Sequence, residues 1–393
     1  MIPIQKRIPG FNLYCVAIFF YALTIDFFGN FQIIGQTGSA LFLTLVSGLF
    51  LFMTFNLILF NSEHQIDLKG PYQLVKGFLP LILFSFFSLL THSPSKYRYQ
   101  FFLCLILLPI TLFLTAIYRN HQEVKFEKYF MSALTLSATI YLISVIRNGF
   151  GNSYIFSARS ISMLACVALL NISVSDTRKN LFLRVLFTCT ILFSLSRTAL
   201  FIAFIINSFH YFIGKNSQSK SFFGKATLSL SGIALFSYLT LLFSPIEKRF
   251  SSVGDGASLF GIKVNTNGRS TVWEYLISGI EQKPLLGHGI GQAQIAITEY
   301  FVTIAQPHND YLRITFDLGL IGLTLWVFAF TRLAYNLRHQ NYLARGEMLI
   351  CFFVLLCFAF SDNPLVYPFF IVCFSRVIIR TRNLSVFDVQ RGS

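Results

Sequence analysis

Leu181–Gly214, LFLRVLFTCTILFSLSRTALFIAFIINSFHYFIG, is the stretch whose reading decides the fold. It runs apolar for 34 residues, with Arg178, Lys179 and Arg184 near its start and Lys215 and Lys220 beyond its end. A helix needs roughly 20 residues to cross the hydrocarbon core of a bilayer. The stretch is therefore too long for one span and too short for two full ones. Basic residues collect on the cytoplasmic side of a membrane, so the chain must enter and return. With the turn at Ser194-Leu195-Ser196-Arg197, the arm from Val185 rises only about 18 Å, which leaves Arg197 below the outer membrane surface. An arginine at that depth is costly and marks a pathway or an anionic partner, and its planar fork suits a diphosphate. Snorkelling to the outer interface is the alternative.

The rest of the chain follows the same rule. Of 393 residues, 54% are hydrophobic and only 12% charged, and the mean hydropathy is +0.64. That is too little charge to cover a water-facing surface. Twelve apolar runs fit the span length, at about 11–29, 38–60, 75–92, 100–118, 129–146, 156–174, 181–196, 198–214, 225–244, 315–334, 347–360 and 364–379. The first reads as a retained helix, because no small-residue cleavage site follows it. With the N-terminus inside, 20 of the 31 Lys and Arg residues fall on the cytoplasmic side and five in the short outer loops. Both termini are then cytoplasmic. The formal charge of +15 is mostly this topology signal and implies no nucleic-acid partner. The expectation is one all-α integral membrane domain, 1–393, interrupted between helices 9 and 10 by an extracytoplasmic loop at 246–314. All seven cysteines lie in apolar runs, so none can staple that loop, and they read as packing residues.

The outer loop holds the remaining candidates. Val272–Ile277 has the spacing of an amphipathic helix with Ser270 or Thr271 as N-cap and Pro284 beyond its end. Arg269 then stands at a helix N-terminus, where free N–H groups favour an anion, unless it is only a solvated loop arginine. Gly287-His288-Gly289-Ile290-Gly291 could form a backbone nest for phosphate or a plain turn. His308, in Gln306-Pro307-His308-Asn309-Asp310-Tyr311-Leu312-Arg313, precedes the tenth helix. Its imidazole, titrating near ~6.5, could act as general base towards a hydroxyl; a capping role is the alternative. Asn309 and Asp310 could orient it or a sugar. Asp26 and Asp362 read as capping or interfacial groups. No DxD, HxxxH or HExxH spacing occurs, so neither a metal nor any other cofactor is expected.

In this order, Ser194–Leu200 in a short helix pair, Gly268-Arg269 with Trp273, Pro284–Gly289, His308–Leu312 and Gly319–Gly322 resemble the O-antigen ligase and O-antigen polymerase superfamily of bacterial membrane glycosyltransferases. The likeness covers roughly residues 156–334. It implies a GT-C-like membrane fold in the cell inner membrane with a periplasmic loop. It also implies metal-independent, inverting transfer of a glycan from undecaprenyl diphosphate to an acceptor sugar hydroxyl. On this chain Arg197 and Arg269 would hold the lipid diphosphate, His308 would activate or position the acceptor, and Asn309, Asp310 and Tyr311 would touch the acceptor sugar. The principal reading is a polymerase of O-antigen or exopolysaccharide repeat units, whose acceptor is a second lipid-linked glycan and which admits a chain-length regulator as partner. The alternative is a ligase whose acceptor is lipid A-core. A third reading, from another class, is a flippase for lipid-linked oligosaccharide. Membrane lipids are partners in all three.

Overall fold

The chain reverses at Leu195 and Ser196, where the sequence placed the turn, and this hairpin carries the first arginine of the site. The computed structural model describes residues 32–33, 36–59, 68–92, 97–149, 157–172, 178–213, 256–259, 262–265, 269–301, 307–336, 342–367, 370–371, 374–375 and 377–378. The apolar runs expected at 11–29 and 225–244 lie outside these residues, as does Asp26.

The helices are α1 (Gly38–Leu59), α2 (Lys69–Val75), α3 (Leu79–Thr91), α4 (Arg98–Asn148), α5 (Ala158–Asn171), α6 (Arg178–Ser194), α7 (Arg197–Ile213), α8 (Arg269–Gln282), α9 (Gln292–Tyr300), α10 (Asp310–Asn336) and α11 (Tyr342–Ser361). A 3₁₀ turn, Lys76–Phe78, joins α2 to α3. Two short antiparallel hairpins complete the described elements, β1 (Gln32–Ile33) with β2 (Gln36–Thr37), and β3 (Gly256–Leu259) with β4 (Ile262–Asn265). By length and composition, Lys69–Thr91, Arg98–Ile117, Tyr129–Asn148 and Asp310–Asn336 can each cross a membrane, and four shorter apolar helices accompany them. Large apolar side chains such as Phe52, Leu83 and Ile146 stand exposed on the outer faces of these helices, where only lipid can cover them. The chain is a multi-pass helical membrane protein.

Two details differ from the sequence reading. The runs at 100–118 and 129–146 are joined in one helical stretch, α4, of 51 residues, because 118–128 contains neither Gly nor Pro to stop it. Helix α8 begins at Arg269, so Ser270 and Thr271 sit inside its first turn rather than capping it.

Helix α5 is the axis of the bundle. Every residue from Ser160 to Asn171 is buried, as expected for a helix apolar on all sides, and α6 and α7 pack along it. Ser157 caps its start, accepting the Ser160 N–H at 3.1 Å. Across the α6–α7 hairpin, Asn207 Nδ2 donates to Thr188 Oγ1 at 3.1 Å.

The outer segment is tied to α10 at a break. Gly319 takes φ 67° inside that helix, and the carbonyls released there accept the loop. The N–H groups of His288 and Gly289 donate to Phe316 O and Asp317 O at 2.9 Å, and those of Leu320 and Ile321 donate back to Pro284 O and Leu285 O. A Cβ on Gly319 would lie 2.1 Å from Leu285 O, and one on Gly287 2.5 Å from Asp317 O. Pro284–Gly289 and Gly319–Gly322, far apart in sequence, are the two halves of one interlock.

Candidate functional site

Three helices begin with arginine at one place. Arg159 lies in the first turn of α5, Arg197 opens α7 and Arg269 opens α8. Each helix start adds unsatisfied N–H groups and the positive end of a dipole. The carboxylate that pairs with them belongs to Asp362, directly after the last residue of α11. Arg159 Nε pairs with Asp362 Oδ1 at 2.9 Å, and Arg269 Nη2 lies 3.9 Å from the same oxygen. Arg269 Nη1 also donates to Ser361 O at 2.5 Å. Burial lowers Arg269 below its ordinary range. Asp362 opposes that shift, while the charges of Arg159 and Arg197 add to it. Burial raises Asp362, with Arg159 and Arg269 pulling the other way. Arg159 and Arg269 thus share one carboxylate, and Arg197 stands close enough to Arg269 for the two charges to repel.

His308 completes the cluster. Arg159 Nη1 lies 3.4 Å from His308 Nε2 and 2.9 Å from Nδ1, so the guanidinium covers the ring. Asn363 Nδ2 lies 3.4 Å from Nδ1. Burial, with the charges of Arg159 and Arg269, holds His308 far below the usual imidazole range, at about 3. The sequence reading of a histidine titrating near neutrality does not survive this environment. In the resting site His308 is neutral, and Arg159 lies across its ring.

The backbone is strained at two points beside these groups. Among the described residues, the non-glycine positions with positive φ are Leu195, at 56°, and His308, at 52°. Leu195 sets the turn that aims Arg197. His308 is held there by its neighbours, since Trp273 Nε1 donates to Pro307 O at 2.7 Å. Such strain, of order 1–3 kcal/mol, persists only where the surroundings over-determine it, typically at functional sites.

The residues expected to touch a sugar each make an internal contact. Asp310 is fully buried and accepts the Leu365 N–H at 3.0 Å, which locks α10 to the turn that follows Asp362. Asn309 is buried and caps α10 by accepting the Leu312 N–H at 3.1 Å. Tyr311 donates its hydroxyl to Leu356 O at 3.2 Å. The glycine nest also has another tenant. Gly287, Gly289 and Gly291 all have positive φ, but the N–H groups of Gly291 and Ala293 donate to the Asp317 carboxylate at 2.8 and 2.7 Å. An internal carboxylate occupies the position a phosphate would take.

The sequence reading did not single out Arg159, and it took Asp362 for a cap. The signal for Arg159 was present: like Arg197, it is an arginine in the first turn of an apolar helix. Nothing local marks Asp362, because its role depends on arginines from two other helices.

Fold and site together define a helical membrane protein with a cluster of arginines at one end of its bundle. Residues 181–327 match the family model described as O-Antigen ligase. A protein provisionally named a polysaccharide ligase in Rickettsia typhi is 23% identical over 256 residues, 61% of this chain and 54% of that protein. The O-antigen ligase of Pseudomonas aeruginosa is 34% identical over 73 residues, 19% of this chain and 18% of that one. A provisionally named polysaccharide ligase of Rickettsia conorii is 25% identical over 119 residues, 27% of this chain and 29% of that one. The chain thus spans about half or less of the length of these curated relatives. Over the matched stretch the chain is similar to the O-antigen ligase superfamily, as its motifs indicated. That stretch contains Arg197, Arg269 and His308, while Arg159 and Asp362 come from the flanking helices.

Proposed function

We propose that the chain is a membrane glycosyltransferase that moves a glycan from undecaprenyl diphosphate to an acceptor sugar hydroxyl. The observation that carries this is the convergence of Arg159 and Arg269 on one carboxylate and a neutral histidine, with Arg197 beside Arg269 at a third helix start. The net positive charge suits a diphosphate, and it acts where negative charge develops as the glycosidic oxygen leaves. The acceptor oxygen forms the new bond as the bond to the diphosphate breaks, with inversion. Guanidinium groups supply the stabilisation that a metal gives elsewhere. As a diphosphate draws Arg159 away, the His308 ring becomes able to accept the acceptor's proton.

Between the two transferase readings, the ligase is now preferred to the polymerase, since the family description and the relatives' names are those of ligases. The acceptor is then lipid A-core. The arrangement we propose is twelve spans in the inner membrane, both termini cytoplasmic and residues 246–314 periplasmic, in a GT-C-like bundle. The span-length helices and the basic asymmetry support it. A deletion strain examined on a polysaccharide gel separates the readings. Loss of all attached polymer with lipid-linked chains accumulating is the expected result. One repeat unit on lipid A-core would restore the polymerase, and unchanged polymer would remove both.

A further inference from the structure

A second feature lies on the same outer segment. A cleft of ≈ 430 Å³ opens between α8, α9 and the end of α3. Tyr275, Ser278 and Gln282 line it from α8, at the i, i+3, i+7 spacing of one helix face; Arg269 does not share that face. Gln292 enters from α9, His288 from the interlocked loop and His92 from α3.

The chemistry of this lining is specific. Two carboxamides, two imidazoles and two hydroxyls offer donors and acceptors side by side. Lys283 and Glu299 at the edge balance one another, so the cleft has no excess charge to select a phosphate. The walls are fixed in advance. Tyr275 packs on Tyr300, with ring centroids 4.5 Å apart, and edge-on to Phe301. His288 stacks on Phe316 at 4.4 Å and donates Nε2–H to Gly279 O at 2.7 Å, so Nδ1 is its acceptor nitrogen. Gly279 is required for that contact, since a Cβ there would lie 2.4 Å from Phe316 Cε2. A rigid aromatic side wall beside planar, paired donors and acceptors suits vicinal hydroxyls and the C–H face of a pyranose.

We propose that this cleft is a saccharide subsite, holding a stretch of uncharged glycan away from the reacting bond. Gly279 is ten residues along α8 from Arg269, a rise of roughly 15 Å, the reach of a short oligosaccharide. The class of ligand rests on the glycan-transfer reading above, and the glycan's source is either the donor chain or the acceptor.

The test uses the full 393-residue chain in nanodiscs and two phosphate-free probes. One is oligosaccharide released from lipid A-core and the other is repeat-unit oligosaccharide from the surface polysaccharide, both from the bacterium that carries the gene. Binding is followed by saturation-transfer NMR, and undecaprenyl diphosphate is titrated separately. One probe should bind the wild type, and its identity tells acceptor from donor. Ser278→Trp, at an exposed position, should abolish that binding. The Gln282→Ala/Gln292→Ala pair should weaken it by roughly tenfold, about one net hydrogen bond. Undecaprenyl diphosphate should bind all variants equally. Failure of both probes to bind the wild type, or binding unchanged by Ser278→Trp, overturns the subsite. Failure of the wild type to bind undecaprenyl diphosphate overturns the diphosphate seat instead, and the oligosaccharide result is read independently of it.

Discussion

Two buried aspartates, Asp317 and Asp362, stand in opposite situations. Asp317 is held by backbone N–H groups from the start of α9, each of which it satisfies, and it also faces the charge of the buried Arg313. Asp362 sits among guanidinium groups whose charge it only partly offsets. The first arrangement is finished by folding and the second is not. An anion site is therefore identified by the charge left over once internal partners are counted, and a glycine-rich nest does not identify one.

The largest expected effect belongs to the unfinished side. His308→Ala should lower turnover by roughly 10²–10⁴ while leaving undecaprenyl diphosphate affinity within a few-fold, measured with purified enzyme, lipid-linked donor and acceptor. Full turnover by this variant would remove the histidine from the chemistry.

On the finished side, Gly319→Ala sets a Cβ against Leu285 O and forces a left-handed alanine, and it should cost about 3 kcal/mol or more. Gly48→Ala is the control, because no atom lies within 4 Å of its Cβ position and alanine favours helix. Thermal unfolding in detergent reads both, and equal midpoints would mean that the interlock is not a constraint.

Arg197→Lys and Arg269→Lys should each weaken undecaprenyl diphosphate binding by about ten- to a hundred-fold, since an ammonium cannot reproduce a bidentate fork. Asp317→Asn and Asp362→Asn bear directly on the contrast. Asp317→Asn should lower stability by about 1–3 kcal/mol with diphosphate affinity unchanged, and Asp362→Asn should change diphosphate affinity. The reverse pattern would dissolve the distinction drawn here.

The smallest effect is an expected flatness. His308 stays neutral down to about 3 in the folded protein, below its unfolded value of ~6.5. Its contribution to stability is therefore full above ~6.5 and is lost as pH falls from there towards 3. kcat/KM, which reports the free enzyme, should show no inflection between roughly pH 5 and 8 that His308→Ala removes. An inflection near ~6.5 that disappears in this variant would place a titrating imidazole in the site after all.

The sequence by itself determined the membrane class, the short hairpin at Leu195–Ser196, the helix behind Arg269 and three members of the site. Span length, basic asymmetry and the cost of a deep arginine are properties of a segment and its solvent, and they can be read from a single stretch. The tertiary structure alone decided that Asp362 and Arg159 join Arg269, with Arg197 beside it, that Asp310 ties α10 to Leu365, and that Asp317 fills the glycine nest. It also keeps His308 neutral, since the basicity of that ring depends on two guanidinium groups from distant helices and on burial by the bundle. A charge and its partners act across space, and residues more than a hundred positions apart become neighbours only when the helices pack.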